Sequence, residues 1–222
     1  MSFMAYRSIL GAVLFTILLA SVVSAGCAGT AAPYESDDPL NDLVNPQRTV
    51  RQRTSIMQQM PELIESGRVD REAAIERLQT IAWARNMPGP YRESAMITLI
   101  GDDGLLSEED SIAMLEAMLP TEPDGRVTVY AVGQAALRGW EELTPQIVRR
   151  FATPSASMTD ERRPEYAALA ALHPDRPVIE TVFEVFRVSG SQDDTGRLRR
   201  DAWNLLSRLD ESGDVRVRLL GE

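Results

Sequence analysis

Residues 127–136 read VTVYAVGQAA, and the same spacing of small and apolar residues returns along the chain in YRESAMITLI (91–100), RPEYAALAAL (163–172) and LRRDAWNLLS (198–207). Aligned on one another, these segments place Ala95, Ala131, Ala167 and Ala202 in one column, at spacings of 36, 36 and 35 residues. Four residues on, one helical turn later, stand Leu99, Ala135, Ala171 and Leu206. The segments before them fall into the same register. Ile75, Ile112, Val148 and Phe183 form one column, and Leu78, Leu115, Phe151 and Phe186 the next, each of the latter 16 or 17 residues before its alanine. A fixed period of this size marks a stack of similar units.

Beyond Asn45 apolar residues recur at three and four, the period of a helix face, and no sustained period of two predicts a strand. Pro and Gly fall between the periodic runs. Breaks within units lie at NMPGP (86–90), PTEPDG (120–125), ATPSASMTD (152–160) and SGSQDDT (189–195). Breaks between units lie at GDDGLLS (101–107), GWEELT (139–144) and HPDRP (173–177). Asp70, Ser107 and Thr144 stand where N-caps are needed, and Pro145 suits a first helical position. A two-helix unit cannot cover its own apolar face, so neighbours stack and bury a continuous seam. The alanine column permits close helix approach, and the Ile, Leu and Phe columns fill the layer between.

A loose motif of the form D-x-x-V-R-x-x-A accompanies the repeat. Asp124-Gly125-Arg126 precedes Ala131, Asp160 with Arg162 and Arg163 precedes Ala167, and Asp194 with Arg197 precedes Ala202; Arg92 has no acid just before it. With the periodicity, this resembles the HEAT or armadillo-like α-solenoids over about residues 70–210. The resemblance implies an all-α fold, a right-handed α-α superhelix of about four two-helix repeats. It also implies that arginines such as Arg126, Arg163 and Arg200 tie a repeat to an acid in the next, a reading favoured for Arg126. An irregular helical bundle is the alternative.

Residues 46–69 are expected to form an N-terminal capping helix before the repeats at 70–222. Ile56, Met57 and Met60 lie on one face of it, and Pro61 kinks or ends it. Residues 213–222 read either as the start of a fifth repeat or as a short cap.

The N-terminus sets the expected location. One arginine, Arg7, precedes an uncharged run from Ser8 to Ala25, followed by Gly26 and Cys27, the single cysteine. This is a secretory signal, and Val23 to Cys27 resemble a bacterial lipobox, with Ser24 where Leu is usual. Residues 1–26 then form a lipoprotein signal peptide, and Cys27 is the lipid attachment. Two alternatives stay open: cleavage after Val23-Ser24-Ala25, releasing a soluble protein, and an uncleaved anchor. The lone thiol favours lipidation, since an uncapped cysteine is a liability in an oxidising compartment. Ala28 after the cysteine resembles outer-membrane sorting in a diderm, with the protein facing the periplasm. Residues 27–45, small, polar and acidic, read as a flexible tether.

Without residues 1–26 the chain carries 22 Arg, no Lys and 33 acids, a formal charge of −11. Nucleic acid is an unfavourable partner for such a chain. No catalytic, cofactor or metal signature stands out. His173, the single histidine, sits where a helix C-terminus favours a cation, and no nucleophile elbow or phosphate loop occurs. One Cys and one His exclude an ordinary zinc site. Asp210, Ser212 and Asp214 open like a calcium loop, but Val215 and Gly221 occupy the positions that need Gly and Glu. Asp102-Asp103 and Glu108-Glu109-Asp110 fit a helix N-terminus and a solvated loop, with weak calcium binding as the alternative.

Trp83 and Trp203 are expected in the core. Trp140, in an inter-repeat turn, either packs over the turn or anchors a partner. In a solenoid the second helices line the concave side, so the candidate partner-binding residues are Glu93, Thr128, Trp140, Tyr166, Arg199 and Asn204. The function expected is a lipid-anchored envelope scaffold for a protein partner. A HEAT-like lyase-type enzyme and a purely structural spacer are the alternatives.

Overall fold

Among the described residues, apolar spacing of three and four becomes helix. The computed structural model describes residues 36–152, 164–189, 196–210 and 212–221, and among them every regular element is helical. Residues 1–35, with Cys27 and the signal run, lie outside this set, as do Asp160, Arg162, Arg163 and Asp194. The helices are α1 (Pro39–Asp42), α2 (Val50–Gln58), α3 (Met60–Glu65), α4 (Arg71–Trp83), α5 (Gly89–Ile100), α6 (Glu108–Met118), α7 (Gly125–Arg138), α8 (Thr144–Ala152), α9 (Pro164–Leu172), α10 (Val178–Ser189), α11 (Arg197–Leu209) and α12 (Asp214–Leu220). Short 3-10 turns at Leu119–Thr121 and Glu141–Leu143 precede α7 and α8.

Starts follow local chemistry. Asp70 accepts the Ala73 amide at 2.9 Å and Ser107 the Asp110 amide at 3.1 Å, each quenching an otherwise unpaired first-turn donor. Thr49 and Gln52 form a reciprocal capping box at the head of α2. The expected cap at 46–69 is two helices, broken at Gln59, with Pro61 in the first turn of α3, where its missing N–H costs nothing. Ile56, Met57 and Met60 are buried. Thr144 departs from expectation: it is the first residue of α8, not the cap before it.

Packing runs between α4 and α5, α5 and α7, α7 and α9, α8 and α9, α8 and α11, and α10 and α11. The columns mostly sit inside. Ala95, Ala131 and Ala202 are buried, as are Leu99, Ala135 and Leu206. The third unit slips by one residue. Ala167 is half-buried and Ala171 exposed, while Glu165, Ala168, Leu169 and Leu172 are buried. That set has the i, i+3, i+4, i+7 spacing of one helix face, and it takes Leu169, a bulky residue, inward. Trp83, expected inside, is 40% exposed, because it continues the outward line of Glu72, Glu76 and Thr80 on α4. Trp203 is half-buried, its ring 5.1 Å from Phe186.

One buried ion pair joins the first two units. Arg92, on α5, donates from Nε to the Ala82 carbonyl at 2.8 Å, and its two terminal nitrogens meet the Glu122 carboxylate at 2.8 and 2.5 Å. Both side chains are 2% exposed. Glu122 Oε1 also accepts the Asp124 amide at 2.8 Å. Asp124 in turn caps α7, accepting from the Arg126 and Val127 amides at 2.8 and 3.2 Å.

Gly89 is required at this joint. A Cβ there would stand 2.8 Å from Asp124 Cγ and overlap the capping carboxylate. Gly133, inside α7, has open space where a Cβ would go. Alanine substitution at the two therefore has opposite signs. Gly89→Ala is expected to lower the unfolding free energy by about 1–3 kcal/mol, and Gly133→Ala to raise it by about 0.5–1 kcal/mol. Urea denaturation of the two variants checks both.

Candidate functional site

The six residues expected to bind a partner do not form one surface. Thr128 is 1% exposed; its hydroxyl donates to the Asp124 carbonyl at 2.9 Å and accepts Arg150 Nε at 3.4 Å. Trp140 is 2% exposed, so it cannot anchor a partner. The left-handed Gly139 (φ 68°) ends α7 and folds the chain back, with the Trp140 amide donating to Ala135 at 3.0 Å. The indole then donates to Glu108 Oε1 at 3.0 Å and lies under the Arg138 guanidinium, 5.1 Å from ring centre.

Glu93 is half-buried and pairs with Arg126 at 3.2 Å. The Arg126 tie therefore reaches back to the preceding unit, not forward to the next. Tyr166 is half-buried with its ring 6.0 Å from Phe151. Arg199 is exposed, lying over Phe186 at 4.7 Å, and Asn204 is exposed. Arg199 and Asn204, on α11, remain open to solvent.

A shallow open cleft of about 550 Å³ lies elsewhere, along α6, lined by Glu108, Glu109, Ile112, Ala113 and Glu116. Ser111, Met114, Leu115 and Met118 face the core, which turns Glu109, Ala113 and Glu116 outward at helical spacing. Glu108 and Glu109 belong to the first turn, where carboxylates complement the helix dipole. Glu108 is also fixed by the Trp140 indole. The result is an apolar floor of Ile112 and Ala113 between carboxylates, suited to a partner segment that sets Lys or Arg around an apolar side chain. The sequence columns place Ile112 in the core layer; it is half-buried and lines this cleft instead.

Two other polar clusters are structural. Asp210 serves α12: it accepts the Arg216 amide at 2.8 Å, Arg216 Nε at 3.2 Å and the Val215 amide at 3.4 Å. Burial pushes its pKa up, but these bonds and that from Ser212 outweigh burial and lower it. Among the described residues no group of three His, Cys, Asp or Glu is placed to hold a metal ion, and no described helix is long and apolar enough to cross a membrane. Comparison with protein-family models, curated proteins and solved structures finds no match to this chain.

His173 follows α9 and pairs through Nε2 with the Thr144 hydroxyl at 2.9 Å, joining the end of α9 to the start of α8. Burial lowers its pKa below 6.5; Glu141 opposes and Arg176 adds to the shift. The unfolded chain thus takes up this proton first as pH falls. The contribution to stability is complete above about pH 6.5 and is lost as pH drops through the lowered folded value. Urea midpoints measured from pH 7.5 to 5 should fall more for the native protein than for His173→Gln. Equal slopes would remove His173 as the group responsible.

Proposed function

We propose that this chain is a lipid-anchored envelope protein whose helix pairs stack as a HEAT-like right-handed solenoid of about four repeats, and that it serves as a scaffold for a protein partner. The observation that carries the stacking is a set of side-chain bonds between positions one period apart. Arg71 donates to Leu105 across 34 residues, Arg85 to Thr121 across 36, Arg126 to Glu93 across 33, Arg138 to Gly101 across 37 and Trp140 to Glu108 across 32. All five lie between Arg71 and Trp140 and span close to one repeat, the kind of nearest-neighbour contact that a stack uses.

The α6 cleft supports the binding part of the reading. It is open rather than enclosed, and it pairs an apolar floor with Glu109 and Glu116. The anchor rests on Cys27 after the Ser8–Ala25 run. A diacylated cysteine gives stable anchoring, since each buried CH₂ contributes about 0.8 kcal/mol.

A photocrosslinking residue placed at Ala113 in cells tests the surface. It should give a discrete adduct that is lost in Glu109→Arg/Glu116→Arg, while the same probe at Leu137 gives none. An adduct from Asn204 but not from Ala113 would move the binding face to α11, and no adduct from either would favour the spacer.

A further inference from the structure

Residues 36–48 were expected to belong largely to a flexible tether, yet they are pinned to the body. The Asp42 carboxylate, buried, accepts Ser36 Oγ at 2.8 Å, Arg48 Nε at 2.9 Å and Asn45 Nδ2 at 3.4 Å. Arg68 donates to the Ser36 carbonyl at 2.8 Å, and the buried Tyr91 hydroxyl donates to the Leu43 carbonyl. Leu43 is fully buried, and α1 packs against α4. A buried carboxylate with three side-chain donors is costly to assemble unless fully satisfied, and nothing in the α6 cleft uses it.

We propose that residues 36–48 are a clasp that sets how far the folded body stands from its membrane attachment, a proposal that rests on the reading of Cys27 as the lipidated residue. Cys27 and Ser36 are nine residues apart and Cys27 and Thr49 are 22 apart. Fully extended, those lengths reach about 32 Å and about 79 Å. The closed clasp therefore removes more than half of the available reach. Arg48 and then Ser36 hold the Asp42 carboxyl down at about 2, so it stays ionised at any physiological pH.

The test uses the full-length lipidated protein in phospholipid vesicles. With Cys27 acylated, Gln58→Cys supplies one labelling site on the exposed side of α2, and a headgroup dye serves as acceptor. Amide exchange at residues 42–45 reports the clasp in the same sample. The clasp predicts protected amides and strong energy transfer in the native protein. It predicts amides exchanging at least about tenfold faster, with weaker transfer, in Asp42→Ala and in the milder Tyr91→Phe, provided both keep the native helical circular dichroism. Unprotected amides in the native protein, or unchanged transfer in a variant whose amides have opened, would overturn it. The mass of the N-terminal peptide separates the two layers. An unmodified Cys27 overturns the anchor and the reach claim together, whereas the exchange data still decide whether the clasp exists.

Discussion

The Arg92–Glu122 pair is the constraint on which the first half of the body depends. Each ion loses several kcal/mol of hydration on burial, and mutual attraction offsets this only when the geometry is good and the remaining donors and acceptors are filled. Here each guanidinium nitrogen has a partner. The guanidinium reaches the Ala82 carbonyl at the end of α4 as well as both Glu122 oxygens, and Glu122 takes the Asp124 amide besides. The pair thus fixes three things at once: the end of α4, the start of α5 and the turn that launches α7. From that turn Asp124 caps α7, Gly89 gives the cap its space, and Arg126 returns to Glu93.

The same logic runs outward to the cleft. Gly139 reverses the chain after α7, Trp140 goes inside, and its indole holds Glu108 at the head of α6. A core contact therefore orients a carboxylate of the α6 surface. Packing and presentation are coupled in one residue, and a site on a helix backed by the core is held more rigidly than one on a loop.

Helicity, the breaks at 101–107 and 173–177 and the caps at Asp70 and Ser107 were legible because they depend on local chemistry, which a sequence carries openly. The slip in α9 was not, because AALAAL offers small residues on adjacent faces and only the position of Leu169 decides between them. The Asp38-Pro39 helix start, with Leu43 behind it, was a readable signal that the acidic composition of residues 28–45 obscured, and the Thr49-x-x-Gln52 box was another readable signal within the expected cap. Arg92 with Glu122, Trp140 with Glu108 and Tyr91 with Leu43 join positions 30, 32 and 48 apart. Pairings of that kind follow from tertiary placement and leave no local pattern. The cleft was hidden for a similar reason: Ile112 has the periodicity of a core residue, and only the surrounding helices leave it half open.

The most direct measurement of the central claim is a double-mutant cycle on the buried pair, read by urea unfolding. Arg92→Met and Glu122→Leu alone should each cost about 3–5 kcal/mol, because each strands a buried charge, and the double variant should recover most of that loss. Single costs below about 1 kcal/mol that simply add would be the behaviour of an exposed pair and would contradict a body organised around this joint.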